Sequence, residues 1–154
     1  MKTRTMLTSA TLLLAGVAVC FADDPNMGKW KLNEGKSKLS AGFPKNHTVA
    51  YTAAGDSVKV TVDGVDAQGK ASHNEWTGKF DGKDYAVAGD ATSDVRSYKR
   101  IDDHTLEFTA KKGATVTLSG RVSVSADGKT RTVSTTGTDA AGKKISGTAV
   151  YDKQ

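Results

Sequence analysis

The chain is poor in residues that cross-link, kink or react. Of its 154 residues one is cysteine and two are proline, and aromatics make up 6%. With Cys20 alone there is no internal disulfide, so the fold has to be held by its core. The three histidines, His47, His73 and His104, fall on separate segments without His-x-x-x-His spacing or a cysteine beside them, so no metal site is expected. The pair Asp102-Asp103 lacks the spaced oxygen ligands of a calcium loop. No nucleophile can be named together with a base, so no catalytic residue and no enzyme are expected. No glycine-rich phosphate cradle lies between a strand and a helix, and no cofactor is expected.

Long apolar runs are also missing, with one exception. Met1-Lys2-Thr3-Arg4 leads into an apolar stretch ending at Val19, then Cys20-Phe21-Ala22 and the acidic pair Asp23-Asp24 before Pro25. A basic start, an apolar middle and small residues at a cut describe a secretory signal. The stretch is shorter than the roughly 20 residues a membrane-spanning helix needs, so no membrane span is expected. Residues 1–22 are read as a signal peptide and 23–154 as one domain, placed in the periplasm or secreted. Cys20 leaves with the signal; the alternative, a lipid-modified Cys20, wants Gly, Ala or Ser where Val19 stands.

Lysine and arginine number 22 against 17 aspartate and glutamate, a net charge of +5. Losing Lys2 and Arg4 with the signal lowers it to +3. The remaining basic residues sit mostly singly beside Gly and Asp, as at Lys70, Lys83, Lys129 and Lys143, which fits solvated turn tips. No basic run is interleaved with aromatics, and no nucleic-acid partner is expected.

What the region is rich in is Val, Thr, Ser and Gly, arranged in apolar–polar alternation. That is the period of strands with one buried face. Turn signals at Ala54-Gly55-Asp56, Gln68-Gly69-Lys70, Asp81-Gly82-Lys83, Gly89-Asp90, Asp102-Asp103, Lys112-Gly113, Asp127-Gly128-Lys129 and Ala141-Gly142-Lys143 divide it into strands near 28–33, 46–53, 57–64, 70–80, 83–87, 94–101, 104–111, 114–125, 130–138 and 143–151. The eighth is plainest: Ala114, Val116, Leu118, Gly120, Val122 and Val124 alternate with polar residues. Ten strands on short turns form a meander, which hides its edges by closing on itself or by folding into two sheets. The expected fold is all-β, a single antiparallel up-and-down barrel of about ten strands, with a two-sheet sandwich as the alternative.

Gly28-Lys29-Trp30-Lys31-Leu32-Asn33 resembles the Gly-x-Trp opening strand of the lipocalins and fatty-acid-binding proteins, the calycin barrels. Gly147-Thr148-Ala149-Val150-Tyr151-Asp152-Lys153 resembles the closing strand of the fatty-acid-binding proteins. The chain is also similar to small exported bacterial proteins described as lipocalin-like or uncharacterised, which share phrases of the type Trp30-Lys31-Leu32-Asn33, Ser37-Lys38 and Gly137-Thr138-Asp139 through Val150-Tyr151. The resemblance implies a barrel plugged by Trp30 with Gly28 beside it. Fatty-acid-binding proteins hold a carboxylate with Arg-x-Tyr on the last strand; here the matching positions are Ala149 and Tyr151, so that carboxylate pair is not carried over.

The expected binding surface is the barrel interior. Ala149, Gly147, Gly120, Gly137 and Thr135 are small or polar inward positions, and Tyr51, Trp76, Phe80, Tyr98, Phe108 and Tyr151 are the candidate ligand-lining aromatics, with Arg96 near them. The expected function is non-enzymatic binding of a small apolar molecule by a monomer. The alternative is a structural or protein-interaction module of the cell envelope with a filled barrel.

Overall fold

A computed structural model describes residues 23–154; the expected signal segment, with Cys20, lies outside the described residues. Eleven strands are present: β1 (Gly28–Leu32), β2 (Lys38–Leu39), β3 (Lys45–Ala54), β4 (Ser57–Val65), β5 (Ala71–Gly78), β6 (Tyr85–Ala88), β7 (Val95–Asp102), β8 (Thr105–Lys112), β9 (Thr115–Val124), β10 (Thr130–Thr138) and β11 (Lys144–Lys153). From β3 to β11 each strand pairs antiparallel with the next. The first long strand, β1, closes the ring between β3 and β11, with Trp30 opposite Val49 and Leu32 opposite Tyr151. The fold is therefore a closed up-and-down barrel of ten long strands, and the sandwich is excluded. The two-residue β2, which the alternation does not reveal, lies against β11 with Leu39 opposite Gly147.

Strand period decides what the barrel holds. On β4, Val58, Val60 and Val62 point inward and are buried while Lys59, Thr61 and Asp63 point out. Each valine so buried contributes about 1.5–3 kcal/mol. On β10 the outer row is all hydroxyl, Thr130, Thr132, Ser134, Thr136 and Thr138, and the inner row is Arg131, Val133, Thr135 and Gly137. The same parity carries across the ladder: Val122, Val133 and Ala149 stand opposite one another on β9, β10 and β11, all on the core side.

Two large apolar residues escape the core, and both lie at bulges. The β8–β9 register shifts after Ala110, which pairs with Leu118 while Lys111 pairs with Val116. The extra residue flips the face, so Val116, inward by simple alternation, stands 49% exposed. The β7–β8 register shifts between Arg100 and Asp102, and Ile101 between them is 45% exposed.

One end of the barrel is closed by the segment before β1. Trp30 is completely buried and its indole Nε1 donates to the carbonyl of Asn26 at 3.1 Å. Asn26 in turn donates from Nδ2 to the carbonyl of Asp103 at 3.3 Å, and Asp24 forms an ion pair with Arg100. Gly28 has φ 106, and a Cβ there would meet the Lys153 side chain at 3.0 Å. Without a side chain at that point Lys153 lies across the indole, its Nζ 5.1 Å from the ring.

Candidate functional site

Five of the candidate aromatics form one contiguous cluster. Tyr98 on β7 is its hub, with ring centroids 4.9 Å from Trp76, 6.0 Å from Phe80, 6.0 Å from Phe108 and 6.3 Å from Tyr51. Phe80 stacks on Trp76 at 6.5 Å with 7° between planes and lies 6.4 Å from Tyr51. Alternation places Phe80 on the same strand face as Trp76; it instead follows the end of β5 and turns into the barrel from the connection to β6, where Arg100 sits 5.2 Å above its ring. The indole Nε1 of Trp76 donates to the carbonyl of Arg96 at 2.8 Å. Trp76, Tyr51 and Tyr98 are buried, whereas Phe80 and Phe108 keep part of their surface in contact with solvent, as do inward Tyr85, Val87 and Val133.

The glycines expected to leave space inside do not. A Cβ on Gly120 would come 2.8 Å from the Phe108 ring and 2.1 Å from the Ser134 carbonyl; on Gly137 it would meet Leu118, and on Gly147 it would meet Leu39. Neighbouring side chains and, at Gly120 and Gly137, the main-chain carbonyls of Ser134 and Thr117 occupy the room these residues give up.

Tyr151, the sixth candidate, belongs to a second group at the Trp30 end. Arg131 stands opposite it on β10 and is 3% exposed, the one charged side chain in the fully buried set of the described residues. Its Cζ lies 4.5 Å from the Tyr51 ring centre, 5.7 Å from that of Tyr151 and 6.0 Å from that of Trp30. Nη2 donates to the Tyr51 hydroxyl, while Nε and Nη1 have no hydrogen-bond partner among the described residues. Arg96, Arg100 and Arg121 each have a carboxylate, from Asp90, Asp24 and Glu107; Arg131 has none. Nor do the tyrosines supply negative charge. Burial pushes the Tyr151 hydroxyl up to about 12 and raises that of Tyr51 as well, the nearby guanidinium opposing both.

Cation–π contact with desolvated rings is worth up to about 2 kcal/mol each. Taking a guanidinium out of water costs several kcal/mol, and arginine cannot shed its charge by losing a proton. The rings and one hydroxyl offset part of that cost but leave the Nε and Nη1 donors without an acceptor among the described residues. Reasoning from sequence missed Arg131, although a signal was present: it shares parity with Val133, Thr135 and Gly137, which alternation places inward.

Two other polar groupings are satisfied internally. Arg96, also inward, donates to Asp90 at 2.9 Å and to the side-chain Oδ1 of Asn74 at 3.4 Å. Burial alone would raise the Asp90 carboxyl, but hydrogen bonds from Ser93 and Thr92 and the charge of Arg96 hold it below the usual carboxylate range. On the outside, His73 Nδ1 lies 2.6 Å from Asp63 and its Nε2 3.8 Å from Glu75, with all three half in solvent. Aspartate hydrogen bonding raises the His73 pKa.

The outer wall carries an open trough of about 670 Å³ across β8 to β11. Two rows of outward side chains flank it, Thr109–Ser119–Thr136–Ser146 and Glu107–Arg121–Ser134–Thr148, with Lys38 at its β2 end.

Fold and interior together define an antiparallel up-and-down β-barrel with an aromatic interior, in keeping with the calycin-like ends of the sequence. Among solved structures it is similar to that of EF1p2_mFAP2b bound to DFHBI, with a TM-score of 0.50 and 9% identity over 84% of this chain and 94% of that one. It is also similar to a redesigned beta barrel, b11L5F_LGL, at TM-score 0.46 and 10% identity over 89% of this chain and 98% of that one. No family model matches the sequence, and no curated protein does.

Proposed function

We propose that the chain is an exported, non-enzymatic β-barrel that binds a small, largely apolar molecule in its interior, in the manner of the lipocalin-like barrels its two ends resemble. The observation that carries this reading is the continuous aromatic wall of Tyr51, Trp76, Phe80, Tyr98 and Phe108, whose members Phe80 and Phe108 reach solvent. An aromatic surface that is inward yet incompletely buried is a natural contact for an apolar guest. The similar structure bound to DFHBI supports the compatibility of such a barrel with a small molecule. The test is mass spectrometry of extracts from the purified protein, together with displacement of an environment-sensitive dye. A co-purifying small molecule that displaces the dye supports the reading, and a dye-indifferent protein that yields no ligand overturns it.

A second reading is a filled barrel that acts through its outer surface as an envelope module. It is favoured by the occupied glycine positions and by the hydroxyl-lined trough. Recovery of one specific partner from envelope extract, lost when Ser134 and Thr136 are both replaced by lysine, would support it.

A further inference from the structure

We propose that Arg131 is the anchor for an organic anion, an apolar molecule carrying a single carboxylate, held at the Trp30 end of the barrel. The inference rests on interior binding and names the class of ligand. A buried guanidinium needs an acceptor of opposite charge, and the described residues withhold one from Arg131 alone among their four arginines. Its unpartnered Nε and Nη1 are N–H donors fixed in the planar geometry that matches carboxylate oxygens. With the guanidinium held against Tyr51, Tyr151 and Trp30, its direction is set before any ligand arrives.

The surroundings select among anions. One cation without a second basic side chain in the buried set suits one negative charge; a phosphate with its larger charge and additional oxygens would be left short of donors. The rest of the inward wall nearby is apolar, with Val124 opposite Arg131 and then Val133 and Ala149 opposite each other one step along. Val133, one inward position from the guanidinium, is only half-buried. A guest entering there would place its apolar body against Val133, Ala149 and the aromatic wall and its carboxylate on Arg131.

Pyrenebutyrate and its uncharged methyl ester provide a matched pair of fluorescent probes. The wild-type protein is expected to bind the acid about tenfold or more tightly than the ester, the usual size of a charge-assisted hydrogen bond. Arg131→Met should bring the two within about twofold by weakening the acid while leaving the ester unchanged, and Arg131→Lys should keep part of the preference. If Arg131→Met does not fold, Arg131→Gln is read with the same two probes. Retention of the full preference in Arg131→Met, or equal binding of the two probes by the wild type, overturns the anion site and leaves interior binding standing. Failure of the wild type to bind either probe overturns both.

Discussion

The Nη2 group of Arg131 donates to the Tyr51 hydroxyl and so joins β10 to β3 through the barrel interior, past the two strands between them. Removing the acceptor should leave a further buried donor unpaired. Tyr51→Phe is therefore expected to cost about 1–3 kcal/mol in the wild type and under about 0.5 kcal/mol in an Arg131→Met background. Urea unfolding of the four proteins of this cycle measures the difference, and equal costs in both backgrounds would refute the coupling.

Trp30 fills the closed end and hydrogen-bonds the chain that folds over it. Trp30→Ala should destabilise by about 3–5 kcal/mol, the range for deleting a fully buried large aromatic. Trp30→Phe should cost less, because most of the packed volume remains. Thermal and urea denaturation would check both.

Acid should weaken the barrel partly through Asp90. Its folded pKa lies below the unfolded value of about 3.9, so its contribution is complete above that value and is lost as pH falls through the lower folded one. Asp90→Asn is expected to be less stable than wild type at pH 7 and to lose less of its remaining stability between about pH 5 and pH 2. Parallel slopes of stability against pH in the two proteins would contradict this.

Gly120 sits where a side chain has nowhere to go. The Ser134 carbonyl 2.1 Å from the site of a Cβ is main chain and cannot swing aside. Gly120→Ala should cost about 1–3 kcal/mol through overpacking, whereas Gly142→Ala, at an exposed hairpin tip with open space around it, is penalised only by its positive φ. Calorimetric melting of the two variants tests the contrast.

The thinnest seam in the ring is β6, which pairs through two residues with β5 and two with β7. Its amides should exchange with deuterium faster than those of β4, which pairs along its length on both sides. Exchange followed by mass spectrometry would show it, and equal protection of β6 and β4 would refute it.

Alternation and turn residues made the ten long strands and their closure legible, because both are local properties of the chain. The bulges at Ile101 and Val116 were not legible, since they arise from the register between two strands and leave no mark on either one alone. The aromatic wall could be named residue by residue from parity, Phe80 included, although Phe80 reaches it from the connection after β5 and not from the strand itself. The isolation of Arg131 was hidden for another reason: a charge shows as unpaired only when every possible partner has been placed, and its nearest acceptor, Tyr51, is 80 residues away in sequence.

Closure by β1 against β11 joins the first long strand of the described chain to the last, Trp30 facing Lys153. A ribosome delivering this chain releases the opening strand long before its second neighbour exists. Until the final strand is complete the ring cannot close; β1 and the most recently made strand are bare edges, and any form cut short before β11 will keep them so.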